Sequence, residues 1–76
     1  MDYNKPTELR EFGKRLQWLR DKKRISRRTL ADFIGVSKGS ILRYERGNRF
    51  PDIAIASRIA AYFGVSLDWL IGEEKY

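Results

Sequence analysis

The stretch that decides the fold runs from Ser26 to Gly47, SRRTLADFIGVSKGSILRYERG. Ser26 is a good helix N-cap, and Leu30, Ala31 and Ile34 follow it at helical spacing. Gly35 comes next, and a glycine just past a helix supplies a left-handed turn residue at no steric cost. Ser37 caps a second helix, with Ile41 and Tyr44 inward, that ends at Gly47. Two helices joined by so few residues must cross steeply. The crossing needs a small residue at the contact, a turn residue that tolerates positive φ, and an aliphatic residue to lock the pair. Ala31, Gly35 and Ile41 fill these roles at the right mutual spacing. Each residue alone is ordinary packing; together they predict a helix-turn-helix.

The flanks extend the pattern. Thr7 caps a first helix whose stripe is Leu9, Phe12, Leu16 and Leu19. Lys22, Lys23 and Arg24 close it, where positive charge suits the negative end of the helix dipole. Asn48 to Pro51 reads as a loop. Asp52 caps a fourth helix with Ile55, Ile59, Ala60 and Phe63 inward and Gly64 as its stop. Ser66 opens a short fifth helix carrying Leu67, Leu70 and Ile71 that ends at Gly72. Five capped helices without an alternating strand pattern predict an all-α bundle. The chain reads as one domain, residues 1–76, with its core at about 7–72 and flexible tails at 1–6 and 73–76. Trp18, Phe33, Tyr44, Phe63 and Trp69 recur at helical spacings, so most are expected in the core. Phe50, in a loop beside Pro51, is either core or a contact between two copies.

Composition narrows the function. The 76 residues carry a net charge of +6, unevenly spread. Residues 7–50 hold 13 basic and 5 acidic groups, a net of +8, whereas residues 51–76 hold 2 and 4, a net of −2. This is the footprint of a polyanion binder, or else a solvated surface that keeps the protein soluble. Neither Cys nor His is present, so the commonest zinc ligands, general bases and thiol nucleophiles are missing. No enzyme activity, metal or cofactor is expected. Gly35 and Gly39 do not form a phosphate loop, because no Lys-Ser/Thr follows in register. No apolar run approaches the roughly 18 residues of a membrane span, and no signal peptide is visible, so a cytoplasmic protein is expected.

The same 22 residues, followed by FPDIAIASRIAAYFGVSLDWLIG from Phe50 to Gly72, resemble the lambda-repressor-like helix-turn-helix domains: phage repressors, Cro proteins and Xre-type bacterial regulators. The segments VSKGSILRYERG and GVSLDWLIG carry the likeness most specifically. The resemblance implies a compact five-helix lambda-repressor-like fold that binds double-stranded DNA, with the recognition helix at about 37–46 in the major groove. It further implies a weak homodimer, or a dimer formed on DNA, on a two-fold-symmetric operator. Lys38, Gly39, Ser40, Leu42 and Arg43 then take base-reading positions. Arg43 leads, since a guanidinium can bond guanine O6 and N7 together. Lys38 reads a guanine or binds phosphate. Ser40 contacts phosphate or helps start the helix. Leu42 meets a thymine methyl or is simply an exposed leucine. Arg27, Arg28, Ser37, Arg46, Asn48 and Arg49 are phosphate candidates, each set against the alternative of a solvated surface group. Arg20 and Glu45 pair in a partly buried bridge by the same likeness. Phe50, Pro51, Phe63, Val65 and Leu67 mark the dimer contact. Gly39 departs from the family, where a polar, often base-reading, side chain is common. It either lets the backbone approach DNA or marks lost readout.

Within this resemblance the chain reads as a phage or prophage repressor or a Cro-like switch. A restriction-modification controller and an antitoxin-type autoregulator are alternatives. If the chain is complete, the lack of a sensor domain favours Cro-like or controller logic. A reading from another class is a protein-interaction adaptor on the same fold, because fold does not fix function.

Overall fold

The computed structural model of the chain describes residues 7–72; the tails expected at 1–6 and 73–76 lie outside them. Five helices follow in order: α1 (Thr7–Lys23), α2 (Arg27–Ile34), α3 (Lys38–Glu45), α4 (Ile53–Phe63) and α5 (Leu67–Leu70). Four begin the same way. The side chains of Ser26, Ser37, Asp52 and Ser66 accept hydrogen bonds from the N–H groups of Thr29, Ser40, Ile55 and Trp69, at 3.0, 3.0, 2.9 and 3.0 Å. Each bond satisfies a donor that the first helical turn leaves open. Thr7, expected as a cap, is instead the first helical residue, and its hydroxyl accepts from Arg10.

The turn between α2 and α3 rests on Gly35, whose φ of 86° lies in the left-handed region. Its N–H and that of Val36 both bond back to the Ala31 carbonyl, which ends α2 within one residue. Arg58 of α4 donates to the Ile34 carbonyl at 3.3 Å and completes this cap. By contrast α1 ends on Arg24, the one non-glycine described residue with positive φ, at 58°. Bonds from Arg24 N–H to Asp21 and from Ile25 N–H to Arg20 force the turn there.

The core draws Phe12, Leu16 and Leu19 from α1, Leu30, Ala31 and Ile34 from α2, and Ile41 and Tyr44 from α3. Ile59 and Ala60 from α4 and Leu70 from α5 close it. Two aromatics expected inside lie outside: Trp18 is 51% and Phe33 66% exposed. Each directly precedes a buried residue, Leu19 and Ile34, and one residue turns a helix about 100°. Phe33 rests on the ring of Tyr62, with centroids 5.1 Å apart. Tyr44 is buried, whereas Phe63 and Trp69 are partly buried against the core. Phe50 packs its ring 4.8 Å from that of Phe12 and keeps 38% of its surface open. Pro51 is buried and offers little to a second copy.

The position of α3 is set by its seam with α1. A β-carbon on Gly13 would lie 2.5 Å from the Glu45 carbonyl oxygen and 2.6 Å from that of Tyr44. The backbones therefore touch where only glycine fits. Two turns along α1, Arg20 grips the Glu45 carboxylate with Nε at 2.6 Å and Nη2 at 3.3 Å, while its Nη1 donates to the Ile25 carbonyl at 2.9 Å. The hydrogen bond to Glu45 holds the Arg20 pKa above its ordinary value; burial opposes this, and the charges of Glu45 and Asp21 add to it. Arg20 thus stays charged throughout the accessible pH range.

Two outcomes follow for α3. In an exposed helix, Gly13→Ala would gain up to about 1 kcal/mol from propensity. Here overpacking is expected to reverse the sign and remove about 1–3 kcal/mol, read as a fall in urea midpoint. Glu45→Ala removes the carboxylate shared by Arg20 and Arg27, leaving Arg20 only the Ile25 carbonyl and the exposed Asp21, and is expected to remove about 3 kcal/mol. Its Tm should drop by more than roughly 10 °C, and a melt that overlays the parent would show that the bridge contributes nothing.

Candidate nucleic-acid interface

Helix α3 buries one face and presents the other. Ile41, Tyr44 and Glu45 are buried, Ile41 completely. Gly39, Leu42, Arg43 and Arg46 recur at spacings of three and four and form the outward stripe, with Leu42 half-buried and the other three exposed. Lys38 and Ser37 are exposed at its start, and Ser40 is half-buried. The Ser37 and Ser40 hydroxyls lie 2.9 Å apart, so Ser40 strengthens the helix start that Ser37 caps. The fold thus brings the expected base-reading residues into one strip, but ties Ser40 into the cap.

The basic residues around this strip fall into two groups. Arg46 closes the strip at the α3 C-cap, and Arg28, Asn48 and Arg49 are exposed at its borders, on the first turn of α2 and in the loop after α3. Gly47, with φ 71°, turns that loop against the start of α1, and the Asn48 N–H bonds to the Arg43 carbonyl at 2.9 Å. Arg27 is different. Its Nε donates to Glu45 Oε1 at 2.9 Å, and its side chain is 35% exposed. Glu45 therefore carries two arginines: Arg20, from α1, on one side and Arg27, from α2, on the other. Arg27 is expected as a phosphate candidate, with a solvated surface charge as the alternative; the structure commits one edge of its guanidinium to Glu45 and leaves the side chain partly open. Sequence reading paired Glu45 with Arg20 alone. The signal for the second partner is that Arg27 is the first residue of α2, next to the crossing with α3.

Two further residues escaped sequence reading. Gly13 was not singled out, although a glycine inside a helical pattern is a standing hint of close approach. Arg15 is 4% exposed, donates to the Trp69 carbonyl, lies 5.0 Å from the Trp69 ring centre and pairs with Glu11 at 3.7 Å. It anchors α5 on α1. Away from α3, Trp18, Leu19, Lys22, Lys23, Phe63 and Val65 line an open groove of about 430 Å³. Among the described residues no cluster of acidic groups could hold a metal ion, and no helix is long and apolar enough to cross a membrane.

Comparison with known proteins agrees with this geometry. Residues 16–70 match the family model HTH_3, described as helix-turn-helix. The chain is 35% identical over 60 residues to the SPbeta prophage-derived uncharacterized HTH-type transcriptional regulator YonR of Bacillus subtilis, covering 79% of this chain and 56% of that protein. It is 32% identical over 65 residues to the HTH-type transcriptional activator BcrR of Enterococcus faecalis, covering 86% and 32%. It is 27% identical over 64 residues to the cryptic phage CTXphi transcriptional repressor RstR of Vibrio cholerae, covering 84% and 58%. The chain thus spans from a third to somewhat over half the length of these relatives. With the match running from α1 into α5, across the whole α2–turn–α3 unit, the chain belongs to the helix-turn-helix family HTH_3.

Proposed function

We propose that this chain is a sequence-specific double-stranded DNA-binding transcriptional regulator that acts in the cytoplasm. The observation that carries the reading is the exposed strip Gly39–Leu42–Arg43–Arg46 on a helix whose other face is locked to α1 and α2. A recognition helix has to be rigid behind and polar in front, so that its side chains reach base edges in a fixed register. Lys38 and Arg43 are the base readers, with Arg43 bidentate to a guanine. Leu42 meets a thymine methyl. Arg28, Ser37, Arg46, Asn48 and Arg49 contact phosphates and set the register. Arg27 contributes as well: Glu45 holds its Nε edge, and the side chain stays partly open for a phosphate contact at the start of α2.

A prophage-derived regulator and a phage repressor among the relatives support a phage or prophage repressor role, and the activator BcrR keeps activation as the second reading. Promoter occlusion is then the mechanism, on a two-fold-symmetric operator that holds two copies. Phe63, Val65 and Leu67 remain the dimer contact, because they keep surface open, two of them border the groove beside Trp18, and Phe50 adds its exposed edge. The domain works without cofactor or catalysis.

Selection of duplexes from a random pool, followed by anisotropy titration of the enriched site, tests this. A symmetric site with half-sites about one helical turn apart, bound at least ~10³-fold tighter than scrambled duplex, is the expected result. Equal binding of both duplexes with the same steep salt dependence would reduce the chain to a polycation. Arg43→Ala is expected to lose about 1–3 kcal/mol on the selected site and to relax preference at one base pair per half-site. Arg27→Ala is expected to weaken selected and scrambled duplexes alike and to flatten the log K against log salt slope by about one unit per copy.

A further inference from the structure

Gly13 and Gly39 are the two described glycines without positive φ, and both sit within helices. The fold explains Gly13, since a β-carbon there would run into the α3 backbone. It does not explain Gly39. A β-carbon at Gly39 would meet nothing nearer than Ser37 Oγ at 3.9 Å, an ordinary contact. Neither space nor backbone conformation requires a glycine there, and helix propensity argues against one. Its position is not arbitrary. Gly39 is exposed in the first turn of α3, one turn before Arg43 on the same outward face, and lies between Lys38 and the Ser40 hydroxyl.

We propose that Gly39 is the point of closest approach between α3 and duplex DNA, where the groove wall comes into van der Waals contact with the helix backbone and leaves no room for a β-carbon. This deepens the DNA-binding reading and rests on it. The missing side chain lets the first turn of α3 sit deeper than any side chain at this position would allow. Arg43, one turn on, then meets the base edges from a fixed depth, and Ser37 and Lys38 come within reach of the flanking backbone. Gly39 therefore acts as a positioning residue for the whole strip. Its omission of a side chain sets which DNA geometry fits.

The test measures Gly39→Ala and Gly39→Gln in the full chain by thermal melt and by anisotropy on the site selected with the parent. Close approach predicts opposite signs for the two readouts. The alanine variant should melt at or above the parent temperature yet bind the selected duplex roughly tenfold or more weakly, about the effect of one mismatched base pair. The glutamine variant should bind more weakly still, because the longer side chain holds α3 further out. An alanine variant that melts as the parent does and binds the selected duplex equally or more tightly would overturn the proposal. It would leave the DNA-binding reading standing, because the parent still selects its site. If the parent selects no duplex at all, the DNA-binding reading fails, and this proposal fails with it.

Discussion

Glu45 places one carboxylate where three helices meet, and the arrangement of the presented surface depends on it. Arg20 reaches it from α1 and Arg27 from α2, while the residue itself belongs to α3. A charge buried to this extent is tolerated only when its partners satisfy it, and here both oxygens are used. The geometry is correspondingly exacting. Helix α3 cannot rotate without breaking a bidentate contact on one side and a single hydrogen bond on the other. Apolar packing by Ile41 and Tyr44 would hold α3 in place but would leave its rotation about its own axis less sharply defined. The ionic contact supplies the missing constraint and so fixes which face of α3 is turned outward.

The seam at Gly13 works with this contact. Because the α1 backbone reaches the Tyr44 and Glu45 carbonyls directly, Glu45 lies close enough for Arg20 to grip it with two nitrogens. A β-carbon at position 13 would push the helices apart and lengthen those contacts. Steric approach and charge pairing are thus two halves of one device, placed two turns apart on α1. Arg15 plays the corresponding part for α5, through the Trp69 carbonyl and ring. Two of the arginines in this basic chain therefore serve the interior. The net positive charge overstates what is available to a polyanion.

The functional consequence is a division of labour along α3. Tyr44, Ile41 and Glu45 face the protein and fix the helix; Gly39, Leu42, Arg43 and Arg46 face away from it. Arg27 belongs to both groups, held by Glu45 yet partly open, and so links the rigidity of the interior to the basic border of the strip. Pre-ordering of this kind reduces the side-chain entropy lost on binding, which matters most for long arginines.

The sequence alone determined the local features, because each depends on neighbouring residues. The serine and aspartate caps, the glycine stops at Gly35 and Gly64, and the apolar stripes of α1, α2 and α3 were all legible from spacing and side-chain chemistry. So was the Ala31–Gly35–Ile41 crossing, because it spans only a few residues. The Arg20–Glu45 bridge was reached through resemblance to a family rather than through any local rule. What only the tertiary structure decided were contacts between residues distant in sequence. Gly13 looks like a weak point in a helix until α3 is laid across it. Arg27 looks like a free surface charge until Glu45 comes within hydrogen-bonding distance. Trp18 and Phe33 have the spacing of core residues, yet they project outward because the angular position of α1 and α2 is set by what packs against them. Helical periodicity says which residues share a face; it does not say where that face ends, because its width depends on the neighbouring helices.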